Sequence, residues 1–351
     1  MELHKKSLYL EDLNYITTRR LPWEDLNGSR ILITGATGLI GSVIVDSLMF
    51  RNQLYSSKIS ISALSRNEKY GNSRFHHHRN SPLFSFITHD INNPLPENGD
   101  YDYIIHAASN THPVVYASDP IGTITTNVIG TYNILNYAAK HNTKRFVFLS
   151  TVEIYGENTG DAEKFDELSM GYIDCNTLRA GYPESKRTCE ALCNAFIYNY
   201  RLDVVIPRLC RIYGPSMFDD DSKVISQFIK NAISGNDIIL KSHGDQFYSF
   251  CFSTDAVSAI MYIMMLGETG VAYNVSDSRS DITLKELAGE VAAISGVQVK
   301  YEPPDEVEST GYSKVTKALL DSTRLNELGW TAQDSIQSGL TKTLSLLRGD
   351  K

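Results

Sequence analysis

Short apolar runs alternate with longer amphipathic stretches up to about residue 210. The apolar runs predict buried strands at Arg30–Thr34, Ile59–Leu64, Phe84–Thr88, Tyr103–His106, Phe146–Leu149 and Asp203–Pro207. Helical periodicity lies between them, most clearly at Ile40–Phe50 and Ile121–His141. Strands separated by helices of this length indicate βαβ units with right-handed crossovers. The pattern therefore predicts an α/β fold built on a Rossmann-type, doubly wound parallel sheet.

Both ends of the chain depart from this alternation. Residues 1–28 carry Leu, Tyr and Trp at amphipathic positions, which predicts an N-terminal extension that packs against the body or a partner subunit. Beyond residue 210 the pattern is interrupted by the acidic run Asp219–Asp221 and by Pro303-Pro304. We therefore predict a Rossmann domain over residues 29–210. Residues 211–351 are predicted to form mainly a smaller C-terminal α/β lobe, interleaved with the first domain.

Composition and charge narrow the class of protein. The chain has 351 residues, 42% of them hydrophobic, a net charge of −8 and a pI of about 5.6, which argues against a nucleic-acid-binding surface. The N-terminus is charged where a signal peptide is apolar, and no apolar run reaches the ~18 residues of a membrane span. The five cysteines form no CxxC pair. These features predict a cytoplasmic protein without a membrane or nucleic-acid partner.

A glycine-rich loop, GATGLIG, directly follows the first predicted strand and opens a helix. Gly35, Gly38 and Gly41 allow a tight turn, a close approach of the backbone to a pyrophosphate, and close packing of helix on strand. The helix N-terminus then faces the phosphates. The spacing GxxGxxG differs from the GxGxxG fingerprint, but its position at the start of a βαβ series predicts that residues 29–210 bind a dinucleotide.

The end of the second predicted strand bears on which dinucleotide is bound. An NAD-specific site usually has a carboxylate there to bind the ribose 2′-OH, and this chain has Ser65-Arg66-Asn67 instead. An arginine can pair with a 2′-phosphate. The sequence therefore favours NADP(H), with NAD(H) as the alternative. Asp90, after the third predicted strand, is a candidate for binding the adenine amino group.

Tyr182 and Lys186 stand four residues apart in YPESK and so share a helix face. A free tyrosine has a pKa near 10, and an adjacent ammonium group favours the phenolate. Tyr182 can then exchange a proton with a hydroxyl or carbonyl while hydride moves at the same carbon. The fifth predicted strand ends in STVEIYG, where Thr151 offers a hydroxyl to the same substrate oxygen. Glu153 is either an acid or base beside the reacting carbon or a salt-bridged carboxylate.

Taken together, these motifs resemble the extended short-chain dehydrogenase/reductases, and within them the nucleotide-sugar epimerase/dehydratase branch. The resemblance runs from about Arg30 to at least Asp255 and includes HAAS at His106, Asn127 in TTNVIGT and RxxRxYGP from Arg208. It implies a catalytic set of Thr151, Tyr182 and Lys186. The implied cofactor contacts are Gly35, Thr37, Gly38, Leu39, Ile40, Gly41, Ser65, Arg66, Asn67, Asp90, Ile91, Ala107, Ala108, Ser109, Asn127 and Lys186. The implied substrate is a nucleotide-linked sugar, with candidate contacts at Ser109, Tyr116, Glu153, Arg179, Arg211, Lys223 and Tyr248.

Within this branch the sequence looks most like UDP-glucuronate decarboxylases, yet it departs from them. Val152 replaces the aspartate of 4,6-dehydratases, which disfavours ordinary dehydration. Tyr248 stands where the branch usually has a substrate-contacting arginine, and Arg211 replaces an asparagine. Together with the NADP(H) preference, these departures favour an NADPH-dependent reductase of a nucleotide-linked keto sugar or ketose, for example one that forms an alditol for surface polysaccharide synthesis. The alternative is a redox-neutral epimerase, decarboxylase or dehydratase with tightly bound NAD(P).

Four further predictions concern metal binding, substrate binding, catalysis and assembly. His76-His77-His78 is predicted to be a solvated loop rather than a metal site, because adjacent histidines cannot all face one ion and no carboxylate or cysteine is spaced to join them. Lys223 and Arg211 are candidates to pair with a substrate diphosphate. A cofactor-binding protein without catalysis is disfavoured by the intact Thr-Tyr-Lys set. The resemblance also implies a homodimer or higher homo-oligomer formed through the helix that carries Tyr182.

Overall fold

The computed structural model describes residues 2–97, 99–111, 118–158, 162–218, 221–302 and 315–349. In these residues the strands are β1 Arg30–Thr34, β2 Ser60–Ser65, β3 Phe84–Thr88, β4 Tyr103–His106, β5 Arg145–Phe148, β6 Ser150–Thr151, β7 Val204–Leu209, β8 Arg211–Tyr213, β9 Ile238–Leu240, β10 Phe247–Phe252, β11 Ala272–Val275, β12 Asp281–Thr283, β13 Val299–Tyr301 and β14 Lys317–Ala318. The helices are α1 Ser7–Thr17, α2 Leu39–Tyr55, α3 Glu68–Arg74, α4 Pro120–Lys140, α5 Gly181–Tyr200, α6 Val224–Ile233, α7 Ser253–Leu266, α8 Leu284–Ser295, α9 Thr323–Glu327 and α10 Ile336–Arg348.

A parallel sheet of eight strands forms the centre of the molecule. Its order is β11-β7-β5-β4-β1-β2-β3, with β6 paired to β7, and the pairings between these strands are parallel. Successive side chains of β1 lie in different hydrophobic cores on the two faces of the sheet, because neighbouring residues of a strand point to opposite faces. Ile31 and Ile33 lie in the core that includes buried residues of α2 and α7, whereas Leu32 lies in the core with α4 and α5. The predicted doubly wound α/β fold is confirmed.

The sheet places the ends of its strands at one edge. Parallel strands all run in the same direction, so the segments that follow β1, β2, β3, β4 and β6 meet at the carboxyl edge of the sheet. The observed strands differ from the predicted ones by at most a few residues, because buried parallel strands are recognisable as short apolar runs. The site residues predicted after each strand therefore gather at this edge.

Residues beyond 210 form a second, smaller lobe and also complete the first. A four-stranded sheet combines β12, β10, β14 and β8, and α6, α8 and α10 pack together beside it. β11, in contrast, returns to pair with β7 in the large sheet. At the other end of the chain, α1 packs on α2 and α7 with Tyr9, Leu13 and Ile16 buried. Among the described helices, none is long and apolar enough to cross a membrane.

The histidine run after α3 was predicted to be a solvated loop, and for two of its three residues that prediction is wrong. Asp46, buried in α2, accepts Nε2 of both His77 (3.3 Å) and His78 (2.9 Å) at its Oδ1. Its Oδ2 accepts the Tyr9 hydroxyl at 2.7 Å and pairs with Arg74 at 2.6 Å. The carboxylate comes from a helix about 30 residues earlier in the chain, so local spacing gave no sign of it.

Candidate active site

The loop between β1 and α2 leaves room that only glycine allows. Gly35 has a φ of +66°, and a Cβ on it would come within 2.7 Å of the Ala107 backbone after β4. A Cβ on Gly41 would lie 2.9 Å from Cα of Ala36 and still closer to the Gly35 carbonyl. The first turn of α2 carries no acidic residue, so its N–H groups face the loop without a competing charge. This cradle fits the pyrophosphate of a dinucleotide.

The rim of the cradle is formed by the segment after β2. Ser65 and Thr37 join their hydroxyls at 2.9 Å, which ties the rim to the loop. Arg66 donates from Nη2 to Asn110 Oδ1 at 3.3 Å. Asn67 caps α3 by accepting the N–H of Tyr70, so its side chain serves the fold locally. Of the three residues predicted to select the cofactor, Arg66 alone presents a cation at this rim.

A hydrogen bond and side-chain packing hold the segment after β3 against α4. Asp90 accepts the N–H of Asn92 at 3.0 Å, and the carbonyl of Ile91 accepts Nδ2 of Asn133 at 2.8 Å. The Ile91 side chain fills the space that Gly130 leaves open on α4. Ile91 is thus a packing residue that fixes Asp90 at the sheet edge, where the sequence predicts an adenine contact.

His106, at the end of β4, holds the next segment. Thr34 accepts the N–H of Ala108 at 3.3 Å and shares a 2.7 Å hydrogen bond with His106 Nδ1. Nε2 of His106 lies 3.1 Å from the Thr131 hydroxyl. Burial, together with the charge of Lys186, lowers the pKa of His106 to about 3. A neutral imidazole therefore links β1, β4 and α4 beneath the predicted cofactor contacts Ala107 and Ala108.

α5 carries Tyr182 and Lys186 on one face, and both side chains are buried. Lys186 donates to the carbonyl of Leu149 at 2.9 Å, and its Nζ lies 4.8 Å from the centre of the Phe148 ring. Burial lowers the pKa of the Lys186 ammonium below its ordinary value. The hydrogen bond anchors the helix at the strand end that leads to Thr151, as the predicted catalytic set requires.

Asn127 of α4 connects the predicted substrate contact to the catalytic helix. Its Oδ1 accepts the Ser109 hydroxyl at 2.7 Å, and its Nδ2 donates to Ser185 Oγ at 2.8 Å. Ser185 in turn donates to the carbonyl of Tyr182 at 2.8 Å. The side chain that the sequence assigned to the cofactor thus positions its neighbours as well.

Three charged side chains from distant segments meet beyond Thr151. Glu153 lies in a short 3-10 helix after β6, where its N–H donates to Thr151 Oγ1. Arg179, just before α5, reaches Glu153 Oε2 at 3.0 Å, and Arg211 of β8 reaches Oε1 at 3.5 Å. Burial alone would raise the pKa of Glu153, but the two guanidinium groups lower it below its ordinary value. Glu153 is therefore an ionised, salt-bridged carboxylate with two cations beside it.

Arg211 occupies space next to the position where the branch usually carries its strand arginine. Its guanidinium carbon lies 3.5 Å from the centre of the Tyr248 ring on β10. Its Nη1 is buried and has no hydrogen-bond partner among the residues that the structure describes. The Tyr248 hydroxyl donates to the carbonyl of Val315 at 2.6 Å. A cation is thus present beside Tyr248, supplied by the neighbouring strand.

Of the two remaining predicted contacts, one has a partner in the structure and the other lies outside the described residues. Lys223 pairs with Asp221 at 3.1 Å, both at the start of α6. Tyr116, along with Asp219 and the Pro303-Pro304 pair, lies outside the described residues. Among the described cysteines, Cys189 and Cys193 are buried in α5 as free thiols.

The sequence interpretation missed a buried ion pair behind the catalytic strand end. Arg208 of β7 makes two bonds to Glu190 of α5, from Nε at 3.1 Å and from Nη2 at 2.7 Å. Glu190 also accepts the Ser150 hydroxyl, and Arg208 donates to the Tyr155 hydroxyl at 3.0 Å. The available signal was the spacing of Glu190, four residues after Lys186 on the same helix face. This network fixes α5 against the strand that carries Thr151.

Comparison with known proteins agrees with this geometry. Residues 31–276 match the NAD dependent epimerase/dehydratase family. UDP-glucuronic acid decarboxylase 4 of Arabidopsis thaliana is 32% identical over 312 residues, which cover 89% of this chain and 67% of that protein.

Solved structures show the same fold. A dTDP-glucose 4,6-dehydratase from Streptomyces venezuelae with NAD bound superposes with a TM-score of 0.78 at 26% identity, covering 92% of this chain and 97% of that one. A UDP-glucose 4-epimerase from Thermotoga maritima with UDP-glucose has a TM-score of 0.78 at 23% identity, covering 91% and 99%. With the glycine cradle and the Thr-Tyr-Lys set in place, the chain belongs to the NAD-dependent epimerase/dehydratase family of enzymes.

Proposed function

We propose that this protein catalyses a redox-neutral conversion of a nucleotide-linked sugar, and that decarboxylation of a nucleotide-linked hexuronate is the best-supported reaction. The observation that carries the proposal is the Arg179–Glu153–Arg211 cluster. Two guanidinium groups and one carboxylate leave a net positive charge, and the buried Nη1 of Arg211 can still donate a hydrogen bond to an anion. A hexuronate carries such an anion on its sugar ring, whereas a neutral hexose does not.

The cluster also brings a positive charge next to Tyr248, where the branch usually has an arginine. The sequence favoured net reduction because of its NADP(H) selector and its departures at Val152, Tyr248 and Arg211. Of these departures, the one at Tyr248 has a structural answer, since Arg211 stacks on Tyr248 and supplies a cation there. The similarity to UDP-glucuronic acid decarboxylases likewise supports the redox-neutral alternative better than the reductase interpretation. The open-chain ketose hypothesis has no comparable support.

Each residue of the set has a role in this proposal. A bound NAD(P) would supply reversible hydride transfer at one sugar carbon. Tyr182 accepts the proton of the hydroxyl on that carbon and later gives it back, while Lys186 stabilises the phenolate and Thr151 bonds the same oxygen. A sugar carboxylate β to the new ketone is then lost as CO2, and the electron pair of the broken C–C bond passes to an enolate. A proton from water restores the ketone before it is reduced. Glu153, which stays ionised, orients Arg179 and Arg211 toward the substrate.

The binding residues for NAD(P) are proposed from the same edge of the sheet. Gly35, Gly38 and Gly41 would hold the pyrophosphate, and Lys186 would hold the nicotinamide ribose. Arg66, with no carboxylate in the adjacent strand end, supports a preference for NADP(H). We expect Arg66→Ala to weaken NADPH binding about 10-fold or more and to leave NADH binding unchanged. Tighter binding of NADH than NADPH by the unmodified protein would refute the preference.

A homodimer is proposed from the surface of the helix pair α4–α5. Ile121, Ile129 and Tyr132 of α4 and Tyr198 of α5 are all exposed on these two packed helices. Apolar side chains of this size on neighbouring helices are typical of an interface. Sedimentation of the purified protein should show twice the chain mass, and Tyr198→Asp should shift it toward the monomer.

Incubation with UDP-glucuronate in the absence of added reductant tests the reaction. We expect mass spectrometry to detect a nucleotide pentose together with released CO2, and no net change in NAD(P)H absorbance. Tyr182→Phe should abolish the product while cofactor binding persists. Product that forms only with one NADPH consumed per turnover would instead establish the reductase. Conversion of neutral nucleotide hexoses, with UDP-glucuronate untouched, would overturn the role given to the arginines.

A further inference from the structure

The N-terminal segment and the turn after α3 bring three imidazoles together, away from the residues assigned to catalysis. His4 lies in a short 3-10 helix before α1, and His76 and His77 follow α3. One ring nitrogen of each lies within 4.8 Å of the other two. The rings of His4 and His77 are parallel with their centres 4.0 Å apart, so the partly exposed His4 side chain has to turn before both rings can direct a nitrogen at one ion. We call these three residues the histidine triad.

The hydrogen bond of His77 leaves one of its nitrogens unused. Its Nε2 lies 3.3 Å from Asp46 Oδ1, and an ionised carboxylate only accepts hydrogen bonds, so Nε2 carries the proton. The lone pair is then on Nδ1. This atom is buried and has no hydrogen-bond partner within the described part of the chain. A buried acceptor without a donor is costly and calls for an explanation.

A hydrogen bond also identifies the ring nitrogen of His76 that carries a proton. Its Nδ1 lies 3.0 Å from the carbonyl of Ser73, which again only accepts, so the proton is on Nδ1. The lone pair on Nε2 then faces Glu2 Oε1 at 3.6 Å. Glu2 thus brings a carboxylate oxygen to the same side as His76 Nε2, where it can serve as a further ligand. His76 is also half exposed, so an ion in solution can reach the triad.

The neighbouring cluster of Asp46, His77 and His78 does not offer a comparable site. Asp46 already accepts from Tyr9 and pairs with Arg74 at 2.6 Å, which saturates its oxygens and places a fixed positive charge beside them. Asp46 instead orients His77. Metal-binding histidines commonly donate their second nitrogen to a carboxylate or a carbonyl, as His77 does to Asp46 and His76 does to Ser73.

We propose that the histidine triad binds one first-row divalent transition-metal ion of the Zn²⁺ type. His4, His76 and His77 supply the nitrogens, and Glu2 or water completes a tetrahedron. Imidazole nitrogens suit such ions, whereas Mg²⁺ prefers oxygen ligands. The ion would tie the N-terminal segment to the turn after α3. This site is independent of the reaction proposed above.

Calorimetric titration of the full chain with Zn²⁺ tests the site. We expect saturable binding of one ion per chain, visible absorption bands from bound Co²⁺, and no binding of Mg²⁺. The double variant His4→Gln/His76→Gln should weaken Zn²⁺ binding about 100-fold or more. Both side chains are partly or fully exposed, and metal-free variants should unfold at the same denaturant concentration as the unmodified protein. His243→Gln, which changes an exposed histidine elsewhere, should bind Zn²⁺ normally.

Hydrogen exchange supplies a second readout. Zn²⁺ should slow exchange of the amides in residues 2–17 in the unmodified protein and leave them unchanged in the double variant. Equal Zn²⁺ affinity in the double variant, or loss of binding in His243→Gln, would show adventitious binding elsewhere and overturn the proposal. Absence of stoichiometric Zn²⁺ binding by the unmodified protein would overturn it as well.

Discussion

The two halves of the proposed active site are formed in different ways, one from main-chain groups and the other from charged side chains. On the cofactor side, the loop after β1 offers backbone N–H groups and space left by glycines, and its residues are contiguous in the chain. On the substrate side, Glu153, Arg179 and Arg211 come from three separate segments and meet through their charges. Backbone geometry is encoded locally, whereas a charge cluster exists only once the segments are packed together. For this reason, the cofactor class is easier to infer from the sequence than the substrate.

The largest expected effect is at Tyr182, where the two halves meet. Tyr182→Phe removes the group that exchanges the proton, so we expect kcat to fall about 10²- to 10⁴-fold with cofactor affinity unchanged. Tyr200→Phe is the matched control, because Tyr200 lies at the far end of the same helix and is 59% exposed. Steady-state kinetics and a cofactor fluorescence titration measure both quantities. An active Tyr182→Phe enzyme would remove the tyrosine from the mechanism.

On the cofactor side, Gly35→Ala should break the cradle. The new Cβ would stand 2.7 Å from the Ala107 backbone at a φ of +66°. Backbone strain and overpacking together should lower the unfolding free energy by about 2–4 kcal/mol and weaken cofactor binding. Gly289→Ala in α8 is the control, since its Cβ would meet no atom within 4 Å. That change should stabilise the helix by about 0.5–1 kcal/mol in denaturant unfolding. Equal effects of the two substitutions would contradict the close approach at Gly35.

On the substrate side, Arg211→Met should separate substrate from cofactor binding. Loss of a charged hydrogen-bond donor should raise the KM for the nucleotide sugar about 10- to 100-fold and leave the Kd of the cofactor unchanged. Arg279→Met is the control, because Arg279 is 53% exposed and pairs with Asp277 rather than with Glu153. A weaker cofactor affinity in Arg211→Met would show that the two halves are not independent.

The two sides should also differ in their response to acid. The folded pKa of His106 is about 3 against an ordinary value of 6.5, so the unfolded chain binds the extra proton between these values and stability falls as the pH drops below 6.5. Glu153 has a folded pKa below its ordinary 4.5, so its contribution is intact above 4.5 and is lost only at lower pH.

Urea unfolding at several pH values measures this difference. Relative to His106→Asn, the unmodified protein should lose about 1 kcal/mol per pH unit from pH 6 to 4. Relative to Glu153→Gln, it should lose stability only below about pH 4.5. A pH-independent difference between the unmodified protein and His106→Asn would mean that the imidazole is not held neutral.

Much of the fold followed from local patterns. The strands β1, β3 and β4 coincide with their predicted bounds, and the Tyr182–Lys186 pair lies on one buried helix face as its spacing required. Pairings across long sequence distances did not follow. The partner of Arg208 is Glu190, and the partner of His77 and His78 is Asp46. The spacing of Glu190 from Lys186 places it on the catalytic face of its helix, but nothing near either carboxylate in the chain identifies its partner, because an ion pair depends on which helix faces which strand.

By itself, the sequence determined the parallel sheet, the glycine loop and the motifs that identify the family, since each depends on residues within one turn or one strand–helix unit. The tertiary structure decided the rest. It placed Arg211 of β8 against Tyr248 of β10, so a guanidinium group lies beside the strand position where the sequence has no arginine. It also turned a histidine run into an ordered cluster around a buried carboxylate. Charges and imidazoles act through space, and only packing sets the distances between them.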